Sequence, residues 1–336
     1  MMPKVNLCAT RFRKLRNNWA TIYLDIIKAF NELGYDVRKS QFIDLPDTPE
    51  YVSEEIVDSS EDVYLYNHVT INWLKENKAH LGRKTLIVKP TGPTHKYFTL
   101  DTQGYGPCSS IAYEKPAYEG TETEEFFNTT VKDIISQKLN KWSDREDIKL
   151  TEKAPYIPEN HILVLGQMPG DETVTQMSFG SHFNKVVSIV NKLEKTVSDP
   201  IVIKLHPTFK IETSKIKDWE SLYLPQVDNF ISKGHTVIIA GVSMHDVLPK
   251  TKVAILENST AGIECFLHEV PIISYGFPEY HWETKDLRHL DLLPGYVSDL
   301  SWWDKRKARE WATWYCTKYQ CHDYPSTLAR IKELLL

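Results

Sequence analysis

Three apolar runs in the chain end in residues able to do chemistry. The stretch "HILVLGQMPGDETV" (161–174) stops at Gln167, with Gly170 and Asp171 just beyond. A carboxylate carried past a strand end can act as general base, as nucleophile, or as an electrostatic partner for a developing oxocarbenium ion. Gly170 lets the backbone turn tightly before it. The same Asp171 would equally cap the next segment or close an Asx turn. In "VIKLHPTF" (202–209) the run ends at His206-Pro207, and Pro207 stiffens the turn that aims His206. Lys204, two residues earlier, shares that strand face, so the pair can donate to a phosphate or serve only in packing. In "ILENSTAGIECFLHEVPIISYGFPEYHW" (255–282) a run breaks into Asn258-Ser259-Thr260 and a helix begins near Ala261 or Gly262. Such a helix start offers amides to phosphate, and Glu264 on its first turn can accept from ribose hydroxyls. Ser259 or Thr260 with Glu264 also fits a capping box. After the next run, Gly276, Pro278, Tyr280 and Trp282 form an aromatic turn able to flank a base or sugar.

These strand ends need elements to hold them. "KVNLCAT", "DVYLYNH" (62–68) and "KTLIVKP" (84–90) read as buried strands. "NNWATIYLDIIKAFNELGYDV" reads as a helix closed by Gly34, and "INWLKENKAH" as another. The pattern restarts at His161 with "HILVLGQ", "PIVIKLHP", "HTVIIAG", "KVAILEN" and "VPIISYG" as strands between helices. Alternation of this kind predicts parallel sheets with helices on both faces. The stretch 92–110 is rich in Gly, Pro, Thr and Ser and predicts a long loop, in which Thr94, Tyr97, Thr99 and Asp101 can meet an acceptor or a donor sugar. The fold expected is α/β, with two doubly wound, Rossmann-like domains resembling the GT-B architecture and a site in the cleft between them. The divisions are 1–145 for an acceptor-side domain, 146–160 for a linker, 161–300 for a nucleotide-sugar domain, and 301–336 for terminal helices. Ligands of open parallel sheets bind beyond the C-terminal strand ends, which is where these residues fall.

The bulk properties narrow the classes. At 336 residues, 41% hydrophobic and 25% charged, the chain has material for two cores. A net charge of −5 gives no global attraction to nucleic acid or anionic membranes. Five cysteines stand without a CxxC pair, so they read as reduced thiols in a cytoplasmic protein. No stretch reaches the roughly 18 apolar residues of a membrane span, and the basic N-terminus lacks the apolar core of a secretory signal.

The motifs "LGQMPGDETV", "IKLHP" and "STAGIECFLHEVPIISYG", with "YFTLDTQG" upstream, resemble the bacterial capsule polysaccharide biosynthesis family, over roughly residues 90–282. That family includes retaining β-Kdo transferases that use CMP-Kdo. The resemblance implies Asp171 as the catalytic carboxylate facing the anomeric carbon and Gln167 as an orienting group. It implies Lys204 and His206 on the donor phosphate, and Ser259, Thr260 and Glu264 on the nucleotide, with Gly262 and Tyr280 beside them. The chain departs from the family in carrying Gly170 where members often have a second acid, and in an aromatic turn poorer in glycine. No Asp-x-Asp metal motif is present, which fits metal-independent transfer with no cofactor beyond the nucleotide-sugar substrate.

Two other readings compete. Arg11, Arg13, Lys14 and Arg16, with "WWDKRKAREWATWY", interleave cations with tryptophans as a nucleic-acid surface does, which suits a phage-type enzyme glycosylating modified DNA bases. A non-catalytic nucleotide-sugar-binding subunit would bind without turnover. The sequence is silent on linkage and on oligomeric state.

Overall fold

The computed structural model describes residues 3–9, 17–39, 62–67, 84–143, 150, 153–168, 171–175, 182–207, 217–239 and 241–336. The helix expected over "INWLKENKAH", the basic residues 11–16 and Gly170 lie outside the described residues.

The first sheet begins with four parallel strands, β1 (Lys4–Ala9), β2 (Asp36–Lys39), β3 (Val63–Asn67) and β4 (Thr85–Pro90), in the order β2-β1-β3-β4. Helix α1 (Asn17–Glu32) buries Ile22, Ile26, Ala29 and Phe30 at helical spacing. It ends at Gly34, whose φ of +81° is the left-handed conformation a helix stop favours. The stretch expected as a loop over 92–110 instead contains a strand, β5 (Phe98–Asp101), which pairs antiparallel with β4. Phe98 and Leu100 are driven into the core of the first sheet, and their alternation was hidden among turn-forming neighbours. A two-residue strand from the end of the chain, Gln320–Cys321, pairs antiparallel with β5, so this sheet is mixed at one edge.

The second sheet is parallel throughout. Its strands are β6 (His161–Leu165), β7 (Ile201–Lys204), β8 (Thr236–Ile238), β9 (Thr251–Leu256), β10 (Ile272–Ser274) and β11 (Lys285–Asp286). They lie in the order β8-β7-β6-β9-β10-β11. This is the doubly wound order of a dinucleotide-binding sheet, with its switch point between β6 and β9. The five residues of β6 are all buried, as a strand covered on both faces must be.

The chain crosses between the two halves more than once. A helix over 124–136, here α2, precedes the expected boundary at 145. Its Phe126, Val131 and Ile134 nevertheless pack in one cluster with Leu163, Val202, Leu256 and Phe266 of the second half. Its apolar face finds more surface there than on the first sheet. Helix α3 (His182–Glu194) covers the other face of the second sheet through Phe183, Val186, Ile189, Val190 and Leu193. Helix α4 (Lys217–Ser232) carries Pro225 inside it, which interrupts the periodicity a sequence reader would follow. After α5 (Ala261–Leu267) and α6 (Lys305–Trp314), the last helix, α7 (Tyr324–Leu335), returns to pack against α1.

In α6 the interleaved cations and tryptophans are used internally. Trp311 is fully buried, and Trp303 stacks on Phe266 with planes 5° apart. Lys305 pairs with Glu269, Arg306 with Glu310, and Arg309 with Glu269 and Glu124.

Candidate active site

The site is built at the switch point, where β6 and β9 send their chains apart. The Gln167 amide N–H donates to His182 Nε2 at 2.8 Å. His182 Nε2 is therefore an acceptor, so Nδ1 carries the proton and donates to the Glu257 carboxylate. Lys185 meets the other oxygen of Glu257 at 2.8 Å. Both side chains of the His182–Glu257 pair are fully buried, and together they tie α3 to the ends of β6 and β9. Across the gap, Gln167 Oε1 accepts from the Asn258 amide at 2.6 Å. The Asn258 side chain accepts from Phe277 N at 2.7 Å and donates to the Thr173 carbonyl at 2.9 Å. Gly276 permits this, because a Cβ there would stand 2.4 Å from Asn258 Oδ1. One asparagine thus fastens the loops that follow β6, β9 and β10.

Asp171 is exposed and opens a single helical turn, Glu172–Thr175. Its Oδ1 accepts from the Thr173 amide at 2.8 Å and from the Thr173 hydroxyl. The residue therefore caps, and it also lines a cleft of about 240 Å³. From the second half this cleft is walled by Gln167, Asp171, His206 and Ser259, and from the first by Lys89 and Tyr105. A smaller cavity of about 80 Å³ continues from it, lined by Lys204, Glu264, Trp142 and the Gly92–Pro93 turn. Lys141, His206, Ser259 and Thr260 border both spaces.

The electrostatics of the smaller cavity come from burial. Glu264 is pushed up to about 7 by desolvation, with Lys204 and Lys141 pulling the other way. Lys204 is pushed down to about 8 by desolvation, opposed by the charge of Glu264. Lys141 is lowered by burial as well, opposed by Asp171, Glu279 and Glu264 in that order. Glu264 does not close a capping box. The N-cap is Thr260, which makes no side-chain cap, so Glu264 falls one residue past the reciprocal position. Ser259 Oγ instead accepts from Ala261 N at 3.2 Å, and Gly262 N donates to the Ser259 carbonyl at 3.0 Å. The amides of Ala261, Gly262 and Ile263, expected to greet a phosphate, already have partners, and the hydroxyls of Ser259 and Thr260 stand with the flanking cations at this wall.

The structure gathers Gln167, Asp171, Lys204, His206, Ser259, Thr260 and Glu264 around the joined cavities. It places the other candidates elsewhere. Tyr280 is buried under α5 and donates to the Ser259 carbonyl, and a Cβ on Gly262 would stand 2.2 Å from its ring. That pair supports the wall from behind. Thr94, Tyr97, Thr99 and Asp101 are all buried in the first half. Thr94 Oγ1 accepts from Lys96 N, Tyr97 stacks on His322, and the Thr99 hydroxyl donates to the Lys89 carbonyl. Asp101 accepts from the amides of Gln103, Gly104 and Ser110 and from the hydroxyls of Ser110 and Tyr319.

Several cleft residues escape a reading by motif. Lys89 sits at the end of a strand that reads as buried, and Lys141 near the end of a segment that looks like a solvated turn. His182 and Glu257, buried behind the cleft, belong to runs whose neighbours draw the eye. Glu279 lies in "GFPEYHW", where the aromatic residues dominate. It is 3% exposed, lines the larger cleft, and is pushed up to about 7, mainly by burial and by the charge of Asp101.

Two α/β halves with a carboxylate-bearing cleft at a sheet switch point make a GT-B-like two-domain fold. Two structures from Thermosulfurimonas dismutans share this fold along nearly the whole chain. The KpsC β-Kdo 2,4 transferase superposes with a TM-score of 0.55 at 16% identity, covering 100% of this chain and 98% of that one. The KpsC β-Kdo 2,7 transferase gives 0.55 at 13% identity, covering 99% and 98%. The chain belongs to the capsule polysaccharide biosynthesis protein family, whose pattern it matches over residues 111–287. No curated protein matches it. Among the described residues, no helix is long and apolar enough to cross a membrane.

Proposed function

We propose that the chain transfers a sugar from a nucleotide-activated, capsule-type donor to a glycan acceptor, with CMP-Kdo as the first donor to test. The observation that carries this reading is the pair of joined cavities. The smaller brings Lys204, His206, Lys141 and Glu264 together as a nucleotide-phosphate pocket. The larger sets Asp171 and Gln167 where the sugar would lie. The ammonium groups of Lys204 and Lys141, with His206 as a further donor, can offset the charge that develops on the leaving phosphate, a compensation worth most in a site partly closed to water, so the transfer needs no metal. Asp171, with one oxygen held by Thr173, faces the anomeric carbon as nucleophile or as electrostatic partner of the oxocarbenium ion. Gln167, fixed at both its amide N–H and its side-chain oxygen, orients the sugar.

A glycan acceptor is preferred to DNA because Trp311 is buried, Trp303 stacks on Phe266, and Lys305, Arg306 and Arg309 pair with carboxylates of the protein itself. The test is a thermal-shift series with CMP, UDP, GDP and dTDP. A ligand that binds only the folded state raises the melting temperature. Stabilisation by CMP with none from the others supports the CMP-sugar donor. Stabilisation by UDP or GDP instead overturns the donor while leaving the fold class untouched. A mobility shift of modified DNA at low salt would restore the DNA reading.

A further inference from the structure

We infer that Glu279 is the group that takes the proton from the attacking hydroxyl, on the wall of the cleft shared by both halves. The inference rests on the glycosyl-transfer reading above and adds a catalytic residue to it. Glu279 Oε1 is held by the Tyr315 hydroxyl, and Oε2 is buried with no hydrogen-bond partner. The Gly106 amide and the Ser109 hydroxyl lie close enough to favour its charged form, yet Oε2 completes a hydrogen bond with neither. A buried carboxylate oxygen without a donor is costly unless something is meant to meet it. Here the residue borders the cavity that also holds Asp171 and Gln167.

The charged and titratable groups around it are known from each element it touches. Tyr315 comes from the turn after α6, Asp101 from the end of β5, Tyr280 from its own loop, and Tyr319 from the stretch leading to the last strand. Lys141 faces it from the segment after α2. Burial holds Glu279 at about 7, so near neutral pH it exists in both forms and can accept a proton without being permanently charged. In the step, the acceptor O–H gives its proton to Oε2 and its oxygen forms a bond to the anomeric carbon. The bond from that carbon to its leaving oxygen breaks, and the electron pair departs with that oxygen. Asp171 has its own place at the anomeric carbon, so the two carboxylates divide the work.

The experiment compares two nucleophiles on CMP-Kdo, water and azide. Water must lose a proton, whereas azide brings none. Glu279→Gln is expected to slow hydrolysis by about 100-fold and to leave azide transfer at the wild-type rate, with the CMP thermal shift unchanged. Asp171→Asn is expected to slow both. Wild-type hydrolysis and an unaltered pH profile in Glu279→Gln would overturn the inference. Should that variant misfold, Tyr315→Phe keeps the carboxylate and removes the donor that favours its charge. The rising limb of the rate against pH then moves to higher pH, and an unmoved limb overturns the inference. If wild-type protein turns over no donor, the glycosyl-transfer reading fails separately. Infrared pH-difference spectra of the unliganded protein then decide Glu279 alone: a carboxyl titrating near neutrality in wild type and missing in Glu279→Gln supports it, and its absence rejects it.

Discussion

Asp101 and Asp171 look alike in sequence, each an acid in a stretch rich in turn-forming residues. The structure treats them in opposite ways. Asp101 is fully buried and receives three amides and two hydroxyls. Asp171 is exposed, accepts through one oxygen from Thr173, its one side-chain partner among the described residues, and opens on the cleft. A carboxylate whose acceptor capacity is filled by the protein is part of the scaffold. One with capacity left over, at the wall of a cavity, is available to a substrate. The contrast extends to the two halves, because the second keeps its strand ends open on the cleft while the first fills the turn after β5 with its own donors.

The largest effects should separate the two aspartates most sharply. Asp171→Asn is expected to lower transfer on the order of 10²–10⁴-fold while denaturant unfolding shifts by about 1 kcal/mol, the scale of a weakened cap. Asp101→Ala should do the reverse. It leaves buried amides without an acceptor and costs about 3 kcal/mol of stability, while activity per folded molecule falls far less than in Asp171→Asn. Equal activity losses in the two variants would break the comparison.

Next in size is the support behind the wall. Gly262→Ala drives a methyl into the Tyr280 ring and should cost roughly 1–3 kcal/mol in chemical denaturation. Tyr280→Phe loses only the bond to the Ser259 carbonyl, about 1 kcal/mol.

The buried Lys204–Glu264 pair gives a pH signature. The folded-state value of Glu264 is raised from 4.5 to about 7, so its contribution to stability is present below 4.5 and is lost as pH rises through about 7. That of Lys204 is depressed from 10.5 to about 8, so its contribution is present above 10.5 and is lost as pH falls through about 8. Stability should therefore pass through a trough between about 7 and about 8. Denaturation of Glu264→Gln across that range should show the acid side of the trough flattened, and an unchanged curve would contradict the assignment. The smallest effects belong to α6, where Lys305→Ala and Arg306→Ala remove largely exposed ion pairs and should change stability by less than about 1 kcal/mol.

Much of this architecture could be read from the chain. Strands such as β6 and β9 announce themselves because burial on both faces demands uninterrupted apolar runs, and the residues just past β6, β7 and β9 were legible for the same reason. The strand β5 was not, since Phe98 and Leu100 sit among residues that normally turn. The place of α2 was hidden because amphipathicity says which face is buried but not against which sheet. Glu279 and Lys141 were invisible because their chemistry depends on neighbours brought from afar. Tyr315 comes from the far end of the chain, and Asp171 from the other side of the presumed linker. The family resemblance supplied the roles of Lys204 and Glu264, and their mutual perturbation appears only once both are buried in one cavity.

The return of the chain's end to its beginning sets an order on synthesis. Cys321 and Ile331 complete the core that contains Phe30 and Phe98, and α7 covers α1. The half translated first is therefore left with an open edge at β5 and an uncovered helix until the segment Gln320–Leu335 has been made. The half translated later, with α2 already available, can close its own core earlier. In this protein a late segment finishes the first sheet begun, and a nascent chain stalled shortly before Gln320 would carry a formed second sheet beside an incomplete first one.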